Sequence, residues 1–431
     1  MNNNRKRVVL IRPPSDFEGV ITVPIGLLYL ASSIKDIADV KIIDGVVDKI
    51  KIDEIKEFKP DYVGITGTNS DYSSMNNIVD AIKDKIGCIV IVGGPYVSCA
   101  TDISGLNKNI DIVIRGEGEH ALREIVQKGL KKGVIKGEYL ADMDSCVPSW
   151  DLIRLDKYFK GHAYGNVSKS NRHVSILTSR GCPYSCIYCA GHLINGKKWR
   201  ARSPESIFKE IEYLYRKFKI KEFHIIDDTF NLNIERAEKV FDLIINSRIK
   251  IYISFPNGIR ADRITPRLLG KMKKAGVYKI SYGIESGSPR IQKLIKKELS
   301  LDKVKETIRL TVKNRIIPQG FFMIGFPTET EEDYRKTVDF AKNSDLCFAS
   351  FHKVLSFEGT ELHSMTRHSA MDRNYMESDL NYSKIKNLDK KVAKAKREFY
   401  LSPKRIWLIF RLVPKRYILE NIVNLPKLFV R

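Results

Sequence analysis

Short apolar runs alternate with amphipathic ones along most of this chain. Between residue 6 and about 130 the apolar runs are RVVLI (7–11), DVKIID (39–44), YVGIT (62–66), CIVIVGG (88–94) and DIVIRG (111–116). Runs of Val and Ile with little polar alternation predict strands buried on both faces, as in parallel sheets. The segments between them, such as IGLLYLASSIKDI and SMNNIVDAIKDKI, space their apolar residues as helices do. Residues 1–135 therefore read as a doubly wound α/β domain, Rossmann-like or flavodoxin-like. Its ligand crevice is expected beyond the carboxyl ends of the strands.

Residues 136–170 have the mixed polarity and prolines of a surface linker. Cys146 lies there alone and reads as an incidental thiol. From 171 to 356 the alternation resumes with six strands: HVSILTS, EFHIIDD, IYISF, VYKISYGIE, PQGFFMIGFP and CFASFHKVLS. Helices separate them, and Ser203-Pro204-Glu205 is a helix start with its cap and first-position proline in order. Six strand–helix units predict a partial, TIM-like (β/α)6 barrel, with its chemistry on the loops after the strands. Residues 357–431 read as a helical, basic tail.

Composition narrows the classes. Apolar content of 43% and charged content of 29% belong to a globular protein. No apolar run approaches the length of about 18 residues that a membrane span needs. The start lacks the apolar stretch and cleavage site of a secretory signal, so the expected compartment is the cytoplasm. Seven cysteines, clustered only once, do not look like a disulfide framework. The net charge of +23 favours anionic partners. It is uneven: residues 384–431 hold 14 Lys or Arg against 3 Asp or Glu. Apolar and basic residues mixed over 404–431 allow peripheral contact with an anionic membrane. The alternative is that Trp407, Phe410 and Leu412 pack against the barrel.

The cluster of cysteines is TSRGCPYSCIYCAG (178–191), which places Cys182, Cys186 and Cys189 in a C-x3-C-x2-C spacing after the first barrel strand. Thiolates hold zinc or iron–sulfur clusters. His192 can complete a Cys3His zinc set. The other reading is a 4Fe-4S cluster with one iron left open.

The spacing, with the aromatic Tyr188 before the last cysteine, resembles the radical S-adenosylmethionine (radical SAM) enzymes. The resemblance implies that SAM chelates the fourth iron. An electron, from a donor such as flavodoxin or ferredoxin, then cleaves SAM to methionine and a 5′-deoxyadenosyl radical. Later strands carry matching features in order. HIIDDTF places Asp227 and Asp228 where the family contacts the SAM amino group. NGIRAD places Arg260 after the third strand, and YGIESGS places Glu285 where the family holds the ribose or methionine part. FFMIGFPTET ends with Gly325 and Pro327, where the family packs adenine. Each also has a bland reading, as a helix cap or a surface ion pair.

A doubly wound domain ahead of such a barrel resembles the cobalamin-binding (B12-binding) subfamily. The motifs are RPP (12–14), VPIGLLYLAS (23–32), IVGGPYVS (91–98) and RGEGE (115–119). The resemblance implies that Thr68, Ser70, Gly93 and Gly94 line the nucleotide tail of cobalamin. The D-x-H-x-x-G signature is absent, and Tyr96 stands where many relatives have histidine. The alternative is a domain that keeps the fold and binds no cobalamin. Glu117 and Glu119 read either as interface groups or simply as part of a turn made by Gly116 and Gly118.

The implied enzyme is a methyltransferase that attacks an unactivated carbon, using the adenosyl radical and methylcobalamin. A radical cyclase or rrearrangement enzyme is the alternative. A tRNA-modifying enzyme and a non-enzymatic iron–sulfur protein are weaker readings, and nucleic acid is not the favoured partner. The substrate class, small molecule or lipid, is not legible. His192, Lys198 and Arg200 either meet an anionic substrate or sit on an exposed loop.

Overall fold

The computed structural model describes residues 5–15, 21–160, 167–366, 383–415 and 417–418. In the first sheet, β1 (Lys6–Arg12), β2 (Ala38–Asp44), β3 (Tyr62–Thr66), β4 (Ile89–Gly93), β5 (Ile112–Arg115) and β6 (Gly133–Lys136) run parallel. Their order is β2-β1-β3-β4-β5-β6. Alternate residues feed two cores, which is why the strands read as unbroken apolar runs. Val8, Leu10, Ile91 and Ile112 pack with helices Ile25–Ile34 and Glu119–Lys128. Val9, Ile11, Val63 and Val90 pack with helix Tyr72–Lys85 on the opposite face. The winding reverses between β1 and β3, so the ligand crevice opens there. The apolar pattern gives five strands and misses β6. As an edge strand β6 is mostly exposed, and GVIK carries no apolar run.

Among its described residues the linker is packed rather than loose. Trp150 is 2% exposed in the barrel core and donates to Glu210 at 2.8 Å. Cys146 is buried, with its thiol toward the Tyr29 carbonyl.

The second sheet begins with β7 (His173–Ile176). A short antiparallel ribbon follows, β8 (Ser179–Arg180) with β9 (Arg200–Ala201). Then come β10 (Glu222–Ile225), β11 (Tyr252–Ile259), β12 (Val277–Glu285), β13 (Ile317–Ile324) and β14 (Phe348–Lys353). The order β14-β13-β12-β11-β10-β7 makes an open six-stranded parallel sheet, the partial barrel. Phe223, Ile225, Ile253 and Phe255 face the outer helices. The residues between them face inward, and Ser175, His224, Ser254 and Lys279 lie in register as one buried polar layer.

Three tail helices are described, the first the short Glu361–Thr366. In Leu388–Tyr400, the Tyr400 hydroxyl donates to the Ala349 carbonyl at 3.0 Å, on the open edge strand β14. Helix Pro403–Leu412 lies under the barrel, where Leu408 packs with Tyr278, Ile317 and Cys347 near the strand starts. Leu412 is partly packed there, but Trp407 and Phe410 are not: they stand 56% and 60% exposed.

Candidate active site

The cysteine loop is anchored by its one aliphatic residue. Ile187 is 1% exposed and packs with Ile291, Ile295 and Phe326. Its N–H donates to the Ile295 carbonyl at 3.2 Å, and its own carbonyl accepts from Leu362 at 2.8 Å. The Cys189 N–H closes a turn on the Cys186 carbonyl at 3.1 Å. Gly181 lets the loop leave β8 with φ of 82°, and a Cβ there would lie 2.3 Å from the Lys198 carbonyl.

The donor set fits an iron–sulfur cluster. The Thr229 hydroxyl donates to the Cys182 sulfur at 3.2 Å, and the Gly191 N–H donates to the Cys189 sulfur at 3.4 Å. Such hydrogen bonds tune a cluster's sulfurs. Burial raises the Cys189 thiol to about 11. Burial also raises Cys186, but Lys297 and Arg260 act against it. Among the described residues no group of three His, Cys, Asp or Glu could hold a metal ion. A zinc site needs Cys182, Cys186, Cys189 and His192 to meet at one point. A cubane takes each thiolate on a different iron and makes no such demand.

The two aspartates after β10 have different surroundings. Asp227 is buried and accepts from the Thr178 N–H at 2.7 Å, the Thr178 hydroxyl at 2.5 Å and the Ser179 hydroxyl at 2.6 Å. Burial pushes its carboxyl up, against Arg236 and these hydrogen bonds. Its oxygens thus hold the segment leading into the cysteine loop. Asp228 sits in a cleft that water reaches, yet the surrounding protein raises its carboxyl by desolvation. Its Oδ2 accepts from Gly181 N–H at 3.0 Å and Asn195 Nδ2 at 2.9 Å. Its Oδ1 lies toward Gly191, beside the Cys189 sulfur.

Glu285 ends β12 with φ of 67°, where the register with β13 shifts after Gly283. A non-glycine residue held in the left-handed region is a form of strain that clusters at functional sites. Its Oε1 accepts from Lys297 Nζ at 3.2 Å, and the same ammonium donates to the Tyr188 hydroxyl at 3.3 Å. Burial lowers the Lys297 pKa, but Glu285 and Cys186 outweigh burial and the net shift is upward. Arg260 makes a two-pronged bond to Asp262, both arms 2.9 Å, and its guanidinium lies 3.7 Å from the Tyr184 ring centre. Gly325 has φ of 105°, and Pro327 is buried beside it. Glu329 accepts from the N–H groups of Gly325 and Phe326 at 2.5 and 2.9 Å. Neither Lys297 nor Glu329 stood out in the sequence. IKKEL offers two lysines, and nothing local marks the one that the turn brings inward.

The first sheet opens on a cavity of about 400 Å³ at its carboxyl edge. Gly64, Thr66, Gly93, Gly94 and Gly116 form one wall. Gly94 has φ of 94°, and a Cβ there would lie 2.4 Å from the Thr66 hydroxyl. This glycine-lined cradle fits the long tail of a corrinoid. Thr68 and Ser70 are not among the residues that line it. The Thr68 hydroxyl donates to Asp71 at 2.7 Å and meets the Ser70 hydroxyl at 2.8 Å, so both are engaged at a helix start.

The opposite wall comes from the barrel: Leu177, Arg180, Ile194 and Asn195. Buried ion pairs join the two. Arg180 donates to Glu119 at 2.7 Å and approaches Glu117 at 3.4 Å. Arg200 holds Glu117 through two bonds of 2.6 and 2.9 Å. RGEGE is therefore an interface element. Arg200, read as a candidate loop residue, is only 6% exposed. Lys198 stays exposed and His192 half-buried.

Residues 176–341 match the radical SAM superfamily, and residues 19–126 match the B12 binding domain. The chain is 32% identical to an uncharacterized methyltransferase of Pyrococcus horikoshii, over 92% of this chain and 93% of that one. It is 25% identical to the cytidylyl-2-hydroxyethylphosphonate methyltransferase of Streptomyces wedmorensis, over 79% and 77%. Its fold is similar to that of TsrM, a radical S-adenosylmethionine methyltransferase from Kitasatospora setae solved with cobalamin and a 4Fe-4S cluster bound. The TM-score is 0.70 at 18% identity, covering 84% of this chain and 78% of that one. This chain belongs to the radical SAM superfamily, in the branch with a B12 binding domain, and its cofactors are accordingly a 4Fe-4S cluster, S-adenosylmethionine and cobalamin.

Proposed function

We propose that the chain is a cobalamin-dependent methyltransferase acting on an unactivated carbon. The observation that carries this reading is the shared chamber. Glycines of the first sheet and residues flanking the cysteine loop line one cavity. Asn195 lines it too and also hydrogen-bonds Asp228, so the chamber reaches the cluster side.

When bound, the cluster with SAM supplies a 5′-deoxyadenosyl radical, and cobalamin supplies the methyl group. Cys182, Cys186 and Cys189 would hold three irons. Asp228 would offer its Oδ1 to the SAM amino group, and Glu285, steadied by Lys297, would meet the ribose or methionine part. Tyr188 packs 5.9 Å from Phe326 with the rings tilted by 53°, and with Gly325 and Pro327 this would be the apolar wall for adenine. Asp227 acts one step back, by fixing Thr178 and Ser179. Arg260, held by Asp262, puts a cation near Cys186. Gly93 and Gly94 let cobalamin approach the sheet edge. The labour divides by domain: 1–135, reaching one residue further in β6, for cobalamin; 136–170 as a packed linker; 171–356 for the radical chemistry; 357–431 as the tail.

The reading calls for a small-molecule or lipid substrate and a one-electron donor such as flavodoxin or ferredoxin. It also includes peripheral membrane contact through the basic tail. The test uses oxygen-free, reconstituted full-length protein with reduced cobalamin and SAM labelled in its methyl group. Label should appear in the corrinoid fraction, and 5′-deoxyadenosine should form. Cys186→Ala should lose the cluster's absorbance and 5′-deoxyadenosine formation together. 5′-Deoxyadenosine formation with no label in the corrinoid would replace methyl transfer with the cyclase or rearrangement reading.

A further inference from the structure

We infer that the underside of the barrel is a docking site for an anionic phospholipid surface. This deepens the peripheral contact proposed above and rests on it, not on the methyl-transfer chemistry. Lys169, Lys273, Arg315, Arg411 and Leu412 line a cavity of about 330 Å³. Four of the five are cations and none is acidic. Among the described residues none of the four side-chain cations forms an ion pair, and the nearest carboxylate contact is the Lys169 N–H, which donates to Glu222 at 2.6 Å. Lys273 Nζ donates to the Arg315 carbonyl at 2.9 Å, and burial together with the nearby Lys169 and Arg315 charges lowers its pKa. Positive charge is thus crowded around a space roomy enough for a phosphate, with no side-chain ion pair among the described residues.

A second observation points the same way. Helix Pro403–Leu412 turns Arg405 and Leu408 inward. Ile406, Trp407 and Phe410 form its outward stripe, 47%, 56% and 60% exposed. Arg411 joins the two features, because it lines the cavity and its guanidinium lies 4.9 Å from the Trp407 ring centre. Aromatic and aliphatic side chains beside cations are the make-up of an interfacial helix. A nucleic acid would use the cations and leave Ile406 and Phe410 in water. A phospholipid uses both: phosphate in the pocket, and the glycerol and acyl boundary against the stripe.

Lys169, Lys273 and Arg315 stand just before β7, β12 and β13, at the end of the barrel opposite the cysteine loop, and the tail helix brings Arg411 and Leu412 to them. Docking there holds the enzyme at the bilayer with its reactive face turned away. The surface localises the protein rather than feeding it substrate.

Full-length protein is sedimented with vesicles of phosphatidylglycerol and phosphatidylcholine, and with phosphatidylcholine alone. We expect binding to the anionic vesicles only, weakened by salt. Lys273→Gln with Arg411→Gln, and separately Trp407→Ser with Phe410→Ser, should each weaken it at least about tenfold. Both variants should keep the parent's SAM cleavage. Failure of cleavage in the parent would count against the enzyme reading alone, and the vesicle result would stand. Three results would overturn the docking site: no vesicle binding, equal binding to neutral vesicles, or RNA binding untouched by the Trp407 and Phe410 changes. Saturable binding of inorganic phosphate without vesicle binding would overturn it as well and assign the pocket to a soluble anion.

Discussion

Burial on its own would keep the Cys186 thiol protonated, and the Lys297 ammonium is the first group that opposes this. Lys297 has two further partners, Glu285 and Tyr188, so its removal leaves a carboxylate buried and alone. Breaking such a pair from one side costs about 3 kcal/mol, whereas neutralising both partners costs much less. Lys297→Met should therefore lower the melting temperature, and adding Glu285→Gln should recover most of the loss. SAM affinity, read by equilibrium dialysis, should fall at least about tenfold in both variants, roughly 1.4 kcal/mol. Intact SAM binding in the double variant would remove Glu285 and Lys297 from the site. Glu329 gives a pH signature. Burial raises its carboxyl from the ordinary 4.5 to about 7. A raised acid favours the folded state in its protonated form, so the contribution is complete below 4.5 and is lost as pH rises through about 7. Glu329→Gln should then gain in melting temperature relative to the parent between about pH 5 and about pH 8. Glu329→Ala, which strands two N–H groups, should be destabilised at both. A constant offset for the Gln variant would mean that Glu329 does not titrate in this window.

The glycines of the first sheet act at the scale of the element, because they set how closely a ligand can approach the strand ends. Two glycines on the cavity wall differ in what a methyl group would meet. At Gly94 it would crowd Thr66 at 2.4 Å with φ of 94°, while at Gly26 nothing lies within 4 Å. Gly94→Ala should weaken corrinoid binding at least about tenfold and cost about 1–3 kcal/mol through strain. Gly26→Ala should do neither, and equal behaviour of the two would take the cradle out of corrinoid binding. The elements themselves were largely legible, since strands buried on both faces announce themselves as Val and Ile runs. The edge strand β6 did not, because water covers most of it. Side-chain placement was less legible. Thr68 and Asp71 have the spacing of a capping box, a signal that already favours a helix start over a ligand contact. Arg200 looked like a loop cation, and only the ribbon β8–β9, folded under the first domain, buries it on Glu117. Lys297 was out of reach of any local pattern, since its neighbours Lys296 and Glu298 both adopt positive φ, 53° and 52°, to turn it inward.

At the scale of the whole molecule, the two cofactor regions share one side chain. Arg180 lines the cavity, pairs with Glu119 and Glu117, and lies over the Tyr29 ring at 4.6 Å. It also lies two residues before Cys182 and directly after Ser179, which Asp227 holds. A ligand that orders the crevice therefore restrains the base of the cysteine loop, and the reverse must hold by linkage. Coupling free energies of this kind are about 1–3 kcal/mol, or roughly 5- to 150-fold in affinity. Hydroxocobalamin should accordingly tighten SAM binding to the cluster-loaded protein at least about fivefold, measured by calorimetry, and SAM should tighten cobalamin by the same factor. Arg180→Lys with Glu119→Gln keeps a cation and a polar partner but loses the forked geometry that holds both glutamates. That variant should bind each ligand alone and show no coupling. If SAM binds the parent equally well with and without the corrinoid, the ion pairs join two domains that work independently, and Arg180 is mortar between them.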